Sequence, residues 1–597
     1  MSFQDFAVTA RPEQGPPRLA ALREQMAAEG LAGFLVPRAD AHQGEYVAPC
    51  DDRLAWLTGF TGSAGFALVL ADKAGVFIDG RYRVQVKSQV ADCFTPVPWP
   101  ETKAGDWLLE NLDSGLVGYD PWLHTPREIE TIEAALAGTE IGLKPVDNLV
   151  DRIWADRPAR PTAPAEAFPV EIAGLTSGEK REMVAEALRK AGHAACVLTL
   201  PDSICWMLNI RGADIAHNPV VQCFAIVFDD ARVALFAEPA KFEALGPDPD
   251  ISIAPLDAFE GALGQLSGPV RLDKTSVPVL VQQVLESFEI NIAWGDDPCV
   301  LPKACKTDAE IAATRAAHLR DGAAMVEFLC WLDQQTPGTF TEIDVVKALE
   351  GFRAATNQLR EISFETISGS GPNGAIVHYR VSEESDRTAQ DGDLLLVDSG
   401  AQYTDGTTDI TRTMPIGTPT AEHKDRFTRV LKGMIAISMA RFPKGIAGRD
   451  LDVLARNALW QVGLDYDHGT GHGVGVYLSV HEGPQRISRA STLPLEPGMI
   501  LSNEPGYYKE GAYGIRIENL IVVSPVDTPE GGDDHRTMYG FETLTWTPID
   551  RRLIETTLLT SQERAWLDTY HATCWENLSS RLSPEAKTWL ESMTAPL

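Results

Sequence analysis

The sequence lacks the features that would place it in a membrane or in an oxidising compartment. No uncharged apolar run approaches the length of about 18 residues that a membrane-spanning helix needs, and the first residues show no signal-peptide pattern. The nine cysteines are odd in number and scattered, without a Cys-x-x-Cys pair, so neither a disulfide framework nor a zinc knuckle is indicated. We therefore expect a soluble, cytoplasmic protein.

Positive charge is scarce in this chain. Lys and Arg total 52 against 84 Asp and Glu, which leaves a formal net charge of −32 at pH 7. Such an excess of acid repels phosphate backbones and anionic lipid surfaces. The balance predicts no nucleic-acid partner and no membrane partner, and it favours a cation or a cationic peptide.

Several common catalytic motifs are also missing. The glycine-rich run 469–475 fits neither the dinucleotide-binding pattern nor a Walker motif, which disfavours a nucleotide site. His481 and Glu482 have no second histidine at 485, so the zinc-binding H-E-x-x-H helix is excluded. No G-x-S-x-G nucleophile elbow occurs either.

Length and proline content indicate three domains. A chain of 597 residues exceeds what one hydrophobic core supports. The stretch 156–164 contains three prolines and predicts an extended connector, and a second break lies near 296–303. We expect domains at residues 1–155, 156–304 and 305–597.

The first two domains carry a weak internal repeat. The apolar strand pair predicted at 66–70 and 75–78 matches a second pair at 224–228 and 233–236. Two unrelated α/β domains could share this pattern, but a duplicated unit explains it better.

The third domain alternates predicted helices with predicted strands. The helices span 308–335, 341–356, 421–441 and 449–462, and the strands span 394–397, 410–414, 500–503 and 515–523. This order predicts an α+β domain with helices on one face of a sheet.

Four acids and one histidine fall at apolar strand positions or among glycines: Asp398, Asp409, His472, Glu504 and Glu518. A solvent-facing position explains any one of the acids alone, but four together favour a metal site. Oxygen-rich ligation with one imidazole suits Mn²⁺ or a similar hard divalent ion.

The spacing of Asp398 and Asp409 leaves their register open. A turn centred on 403 and 404 pairs them directly across a hairpin. A turn centred on Asp405 and Gly406 leaves them four residues out of register, roughly 13 Å apart at about 3.3 Å per residue. Both turns place the two carboxylates on the same face.

These residues resemble the five ligands of the creatinase and aminopeptidase P fold. The local motifs around them are similar too: His468-Gly-Thr-Gly-His472-Gly-Val-Gly, Asn503-Glu-Pro-Gly and Gly514-Ile-Arg-Ile-Glu518. Nearly the whole chain is similar to the three-domain cytosolic Xaa-Pro aminopeptidases, through His42-Gln-Gly-Glu-Tyr, Gly62-Ser-Ala-Gly65, Asp79-Gly-Arg-Tyr82, Arg211-Gly-Ala-Asp214, His217-Asn-Pro219 and Gly371-Pro-Asn-Gly-Ala-Ile-Val-His378.

The resemblance implies two creatinase-type α/β domains followed by a pita-bread catalytic domain with a C-terminal extension. It further implies a dinuclear site, usually Mn²⁺ with Zn²⁺ or Co²⁺ as alternatives. Asp409 and Glu518 would bridge the ions, Asp398 would complete one, and His472 with Glu504 would complete the other. A hydroxide shared by the ions would attack the scissile carbonyl.

The same resemblance assigns expectations to residues around the metals. His378 and His481 would bind substrate and stabilise the oxyanion, with His468 more peripheral. Arg81 would contact the peptide, with an ordinary exposed arginine as the alternative. Glu504 would also carry the proton to the leaving prolyl nitrogen. Independently of the resemblance, Arg516 lies two residues before Glu518 in the predicted strand, so it would share the same face and orient Glu518 or the proline pocket.

The expected function is removal of an N-terminal residue that precedes proline. The alternatives are a prolidase, which cuts only Xaa-Pro dipeptides, and an inert binding protein of the same fold. An apolar tail after Phe541 predicts a homodimer through the last domain: Trp546, Leu553, Ile554, Leu558, Leu559, Trp566, Leu567 and Tyr570.

Overall fold

The computed structural model describes residues 3–533 and 535–597. These residues form two compact units. One contains residues 3–8, Glu171–Gly174 and Leu301–Leu597, and the other contains Thr9–Val170 and Leu175–Val300. Within the described residues, no helix is both long enough and apolar enough to cross a membrane.

The unit that begins at Thr9 contains two six-stranded mixed sheets. The first has the spatial order Thr95–Pro98, Ala74–Ile78, Phe66–Leu70, Gly33–Pro37, Ser114–Tyr119 and Glu140–Pro145. The strand Gly33–Pro37 is buried on both faces, since Phe34 and Val36 belong to one apolar cluster and Leu35 belongs to another. The helices of this half are Gly15–Ala28, Arg53–Thr58, Val86–Gln89, Ala104–Asn111, Pro126–Leu136 and Leu149–Ile153.

The second sheet repeats the first. Its spatial order is Ile251–Ala254, Val233–Phe236, Phe224–Phe228, Ala195–Leu198, Val270–Leu272 and Ile292–Trp294. Each pair of neighbours has the same parallel or antiparallel sense as its counterpart in the first sheet. The shared topology agrees with the predicted duplication.

Short elements complete the second half. The strands Glu166–Ala167 and Ile210–Arg211 pair with each other. The helices of this part of the chain are Val170–Ala173, Ser177–Ala191, Pro201–Leu208, Phe259–Leu263, Val279–Ser287 and Val300–Ala304.

Among the described residues, the longer helices of the unit that contains Leu301–Leu597 are Asp308–Asp333, Glu342–Ala354, Ala421–Ser438, Gly448–Trp460, Ser561–Leu578 and Pro584–Met593. The first four match the four predicted helices, with ends that differ by three residues or fewer. Thr341 accepts a hydrogen bond from the N–H of Asp344, and the Asp344 side chain accepts one from the N–H of Thr341, which forms a capping box at the start of the second helix.

The strands of this unit form several small sheets. The largest has the order Phe442–Pro443, Met538–Thr543, Asn519–Val526, Ile500–Asn503, Gly471–Gly473 and Glu482–Ile487. The two three-stranded sheets are Ile367–Ser370 with Leu394–Ser399 and Ile410–Pro415, and Leu359–Ile362 with Ala401–Tyr403 and Gly406–Thr407. A hairpin joins Gly506–Lys509 to Tyr513–Arg516.

The hairpin that carries Asp398 and Asp409 has a register intermediate between the two registers expected from the sequence. Asp398 lies opposite Thr411, and further along Tyr403 lies opposite Gly406, so the turn is centred on 404 and 405. Asp409 therefore lies two residues from the position opposite Asp398. Because this offset is even, both carboxylates project from the same face as diagonal neighbours.

Gly400 allows the bend that follows the first of these strands. A Cβ at this position would lie 2.0 Å from Ser363 Oγ and 2.1 Å from the carbonyl oxygen of Thr408. Any other residue would push the two strands apart beside Asp409, so the close approach requires glycine.

The predicted strand 515–523 is wrong as a single element. It is interrupted between Arg516 and Asn519, and its halves belong to different sheets. At the break, the N–H of Glu518 donates to the carbonyl oxygen of Thr411 at 3.1 Å. The interruption turns the Glu518 side chain toward the acidic hairpin.

The apolar tail after Phe541 covers its own subunit. Leu553, Ile554, Leu567 and Tyr570 are buried in one cluster, against which Trp546, Leu559 and Trp566 pack. The same cluster contains Leu394, Phe427, Leu431, Ile515 and Ile517 from the rest of the unit. The tail is therefore not the exposed surface from which we expected a homodimer.

A buried ion pair joins the helices Glu342–Ala354 and Asp308–Asp333 beside the hairpin. Arg353 donates to both oxygens of Asp321 at 2.9 and 3.0 Å. Asp321 also accepts hydrogen bonds from the hydroxyl groups of Tyr403 and Thr408. The guanidinium additionally contacts the carbonyl oxygen of Ser399 at 3.4 Å, beside Asp398.

We predict that Arg353→Met lowers the free energy of unfolding by about 3 to 5 kcal/mol, because it leaves the Asp321 carboxylate buried and unpaired. Arg315→Met is the matched control, since its pair with Glu542 is exposed and contributes about 0 to 1 kcal/mol. Urea titration followed by circular dichroism measures both variants. Equal shifts in the two would contradict the prediction.

Candidate metal centre

Four carboxylates and two imidazoles converge in the unit that contains Leu301–Leu597. Their ligand atoms form three groups, and within each group all atoms lie within 4.8 Å of one another. The groups are Asp398 with Asp409 and Glu518, His472 with Glu504 and Glu518, and Asp409 with His472 and His481. The structure thus brings together the five residues for which the sequence predicted metal ligation.

Separate strands position these side chains. Thr411 donates its hydroxyl proton to Glu518 Oε2 at 2.7 Å. The N–H of Glu504 donates to the carbonyl oxygen of Thr470 at 2.8 Å, and Ser502 Oγ donates to Glu504 Oε1 at 3.1 Å. Hydroxyl groups therefore hold the Glu518 and Glu504 carboxylates in place, and a backbone hydrogen bond fixes the chain at Glu504.

The tautomer of His472 follows from its contacts. Nδ1 lies 2.9 Å from the carbonyl oxygen of Gly473, which can only accept, so Nδ1 carries a proton. Nε2 then faces the carboxylates, 3.4 Å from Asp409 Oδ2 and 3.5 Å from Glu504 Oε1. The His481 ring stands edge-on to this imidazole, with 4.3 Å between centroids.

The electrostatics of the cluster reflect crowded negative charge. Burial, reinforced by Asp409, raises the pKa of Glu518 well above its ordinary value. Burial likewise raises the pKa of Asp398 to about 6, although Arg516 opposes the rise. Burial disfavours the protonated form of His472, yet Asp409 and Glu504 raise its pKa to about 9. Protons compensate part of the negative charge when no cation does.

Two buried oxygens show that the cluster suits a cation. Asp398 Oδ1 and Glu518 Oε1 are buried without a hydrogen-bond partner. An unpaired buried carboxylate oxygen is costly, whereas a metal ion satisfies it. Hard oxygen donors with one imidazole match Mn²⁺ and similar divalent ions, so the residues present fit the implied metals.

Arg516 links Asp398 to an aromatic residue that the sequence analysis missed. It donates to Asp398 Oδ2 at 2.7 Å and to the hydroxyl oxygen of Tyr508 at 2.6 Å. His468 Nε2 lies 2.9 Å from the same Tyr508 hydroxyl. Arg516 touches Thr411, the partner of Glu518, at 3.2 Å, so it orients Asp398 directly and Glu518 only indirectly. No motif in the sequence marked Tyr508.

The remaining predicted residues lie in two different places. His378 is half-buried and follows Val377, whose carbonyl oxygen accepts from Arg516 at 3.4 Å. Arg81 belongs to the other compact unit, where its guanidinium pairs with Asp79 at 2.7 Å. Glu482, which follows His481, is buried and forms ion pairs with Lys303 and Lys306.

Known families match most of the chain. The Creatinase/Prolidase N-terminal domain matches residues 18–153 and again residues 156–310. Metallopeptidase family M24 matches residues 312–525, and the C-terminal region of peptidase M24 matches residues 537–597. The cluster described above lies within the M24 match.

Relatives of similar length specify the family further. The chain is 40% identical to a probable Xaa-Pro aminopeptidase P from Laccaria bicolor, over 97% of this chain and 93% of the relative. It belongs to the Xaa-Pro aminopeptidase P family. Another member, aminopeptidase P2 from Arabidopsis thaliana, is 38% identical over 95% of this chain and 86% of its own.

The fold of this aminopeptidase P family member is also similar to that of a solved structure. The crystal structure of X-prolyl aminopeptidase from Caenorhabditis elegans superposes with a TM-score of 0.93 and 32% sequence identity. The match covers 98% of this chain and all of that one, 100%. That protein is described as a cytosolic enzyme with a di-nuclear active site. The predicted fold class, two creatinase-type domains followed by an M24 catalytic domain, is confirmed.

We predict that Mn²⁺ binding releases protons and tightens as pH rises from 6 to 8. In the metal-free site, His472 keeps its proton over this whole range because its pKa is about 9, and Asp398, with a pKa of about 6, is half protonated at the lower end. Cations bind the deprotonated ligands, so protons compete with them. Calorimetric titration of the metal-stripped protein, in buffers of different ionisation enthalpy, counts the protons released.

Glu518→Gln is the control for this titration. Its amide carries no titratable proton, so the variant should release fewer protons for each ion that binds. A binding enthalpy that does not depend on the buffer, for the protein with Glu518 intact, would rule out the proton-holding cluster.

Proposed function

We propose that this protein is a metal-dependent Xaa-Pro aminopeptidase, which releases the N-terminal residue from peptides with proline at position 2. One observation carries this function: four carboxylates and an imidazole converge in a chain that matches Xaa-Pro aminopeptidases P over nearly its whole length. An inert binding protein of the same fold would gain nothing from so costly a buried cluster.

We propose that Asp398, Asp409, His472, Glu504 and Glu518 hold two divalent cations, with Mn²⁺ the first choice and Zn²⁺ or Co²⁺ as alternatives. Asp409 and Glu518 are the proposed bridging ligands. When bound, the cations acidify a water molecule and polarise the scissile carbonyl. The unpartnered oxygens of Asp398 and Glu518 support this assignment.

Glu504 is the proposed proton carrier. Its side chain is 16% exposed, unlike the more deeply buried Glu518, so it borders the space that substrate would enter. Ser502 holds one of its oxygens. When the C–N bond breaks, its electron pair goes to the prolyl nitrogen, so cleavage requires an acid that protonates this nitrogen as it leaves. Glu504 would take that proton from the attacking water.

His378 and His481 are the proposed substrate-binding imidazoles. His481 stands against His472, at the edge of the cluster, where a donor could reach a carbonyl oxygen as negative charge develops on it. We propose that the two rings also flank the proline ring. Arg516 and His468 would act on substrate through the network that joins them at Tyr508, and Arg81 would contact the peptide chain.

The similarity to known families also supports proposals on the domain limits and the cellular location. We propose three domains with limits at 155/156 and 304/305, which lie close to the limits of the family matches. A cytoplasmic location is supported by the cytosolic X-prolyl aminopeptidase that this chain resembles. The homodimer stays a prediction, and the buried tail no longer supports it.

The products distinguish this function from its alternatives. The Mn²⁺-loaded protein should release the first residue from both Xaa-Pro dipeptides and longer Xaa-Pro peptides, with mass spectrometry identifying the fragments. Cleavage of dipeptides alone would indicate a prolidase. No cleavage of either substrate would leave only the inert binding protein.

We predict that His378→Ala and His481→Ala each lower kcat by about 10²-fold or more while KM changes little, because an oxyanion donor acts mainly in the transition state. Both variants should still bind two ions, as measured by elemental analysis. The matched control is His423→Ala, since His423 caps the helix Ala421–Ser438 and belongs to none of the three ligand groups. An unchanged kcat with metals bound would return either histidine to a structural role.

A further inference from the structure

Residues 3–8 belong to the same compact unit as Leu301–Leu597, although Thr9–Val170, which follow them directly in sequence, belong to the other. We refer to residues 3–8 as segment 3–8. Gln4 and Phe6 are buried, whereas Phe3, Asp5 and Ala7 are exposed. Alternate side chains of the segment are therefore buried against the rest of this unit, as in an extended chain that lies on a surface.

Backbone hydrogen bonds join segment 3–8 to the loop that carries His378. The N–H of Glu383 donates to the carbonyl oxygen of Phe6 at 2.9 Å. Arg380 donates to the carbonyl oxygens of Ala7 and Asp5 at 3.0 and 2.8 Å. All three acceptors are backbone carbonyl oxygens. These hydrogen bonds therefore depend on the backbone conformation of the segment and not on its charged side chains.

The same segment is tied to the strand that pairs with the Asp398 strand. Gln4 Nε2 donates to the carbonyl oxygen of Thr366, and its Oε1 accepts from the N–H of Thr366, at 3.2 and 2.8 Å. The next residue, Ile367, lies opposite Asp398. The N–H of Phe3 adds a bond to Glu350 at 2.7 Å.

The Phe6 ring fills the space beneath the loop. It is 9% exposed and belongs to a buried cluster with Ile343, Val346, Ile367, Tyr379, Val381 and Leu396. Tyr508, the partner of Arg516 and His468, packs against this cluster. Tyr379 follows His378 directly, and Val381 comes two residues later. The Phe6 ring therefore packs in the same cluster as the part of the loop next to His378.

The loop itself has little regular structure to hold it. Residues 376–387 contain neither helix nor strand, and such loops depend on tertiary contacts for a single conformation. On one side, Arg516 holds the carbonyl oxygen of Val377. On the other side, segment 3–8 holds Arg380 and Glu383. His378 lies between these two anchors.

We propose that segment 3–8 positions the active site through its backbone and through the buried side chains of Gln4 and Phe6, which together fix the orientation of His378. The exposed side chain of Phe3 takes no part in this role. This inference rests on the proposed function and assigns a catalytic contribution to a segment far from the catalytic residues in sequence. A displacement of about 1 Å at a reacting group can cost about 10²-fold in rate, so a modest loosening of the loop is enough to be measured.

The first experiment compares Phe6→Ala with Phe3→Ala in the metal-loaded, full-length protein. The control removes the same ring three residues away, from a side chain that is 41% exposed. Phe6→Ala should lower kcat for an Xaa-Pro peptide by about tenfold with KM nearly unchanged, and Phe3→Ala should leave kcat as it is. Phe6→Leu, which refills most of the space, should restore most of the loss.

The second experiment tests whether the effect passes through His378. In the His378→Ala background, adding Phe6→Ala should cost no further activity, because the residue that the segment positions is already absent. A general loss of stability would lower kcat in both backgrounds by the same factor. Bound metal, measured by elemental analysis, should stay constant throughout.

If Phe6→Ala does not fold, Gln4→Ala provides the same comparison, since it removes the paired side-chain hydrogen bonds to Thr366 and leaves the Phe6 ring in place. Equal kcat values for Phe6→Ala and Phe3→Ala, or additive losses with His378→Ala, would overturn the inference. Failure of the proposed function is a separate outcome, since the unsubstituted protein would then not cleave Xaa-Pro peptides at all.

Discussion

Repulsion among buried carboxylates is the constraint on which the rest of the catalytic unit depends. Asp398, Asp409 and Glu518 are buried and place oxygens within 4.8 Å of one another. Negative charges this close in a medium of low polarity favour protonation or the binding of cations. The raised pKa of Glu518 is a consequence of this burial and repulsion. Such a cluster persists only if the surrounding fold is stable enough to hold the acids in place.

That support comes from segments that are distant in sequence. Arg412 donates to the carbonyl oxygen of Glu518, to Asn519 and to the hydroxyl oxygen of Tyr570. Tyr570 belongs to the part of the chain that matches the C-terminal region of peptidase M24. This region therefore completes the core. Through Arg412 it also holds the backbone at Glu518, a candidate bridging ligand.

Local patterns predicted most of the secondary structure. The helix Asp308–Asp333 and the capping box at Thr341 follow from apolar spacing and from nearest-neighbour hydrogen bonds, which are properties of short windows. The continuous strand at 515–523 was wrong because alternation of side chains does not reveal where Glu518 bonds to Thr411 instead of to a ladder. The tail was misjudged for a similar reason, since composition does not tell which apolar surface covers which.

The sequence by itself determined the fold class, the duplicated α/β unit and the identity of the five candidate ligands, because motif spacing and residue chemistry are written along the chain. Only the tertiary structure decided the register of Asp398 against Thr411, the contact of Arg516 with Tyr508, and the attachment of Phe6 beside His378. Each of these joins residues whose proximity depends on packing of the whole unit. Free energies of packing are summed over many distant contacts, so no local window contains them.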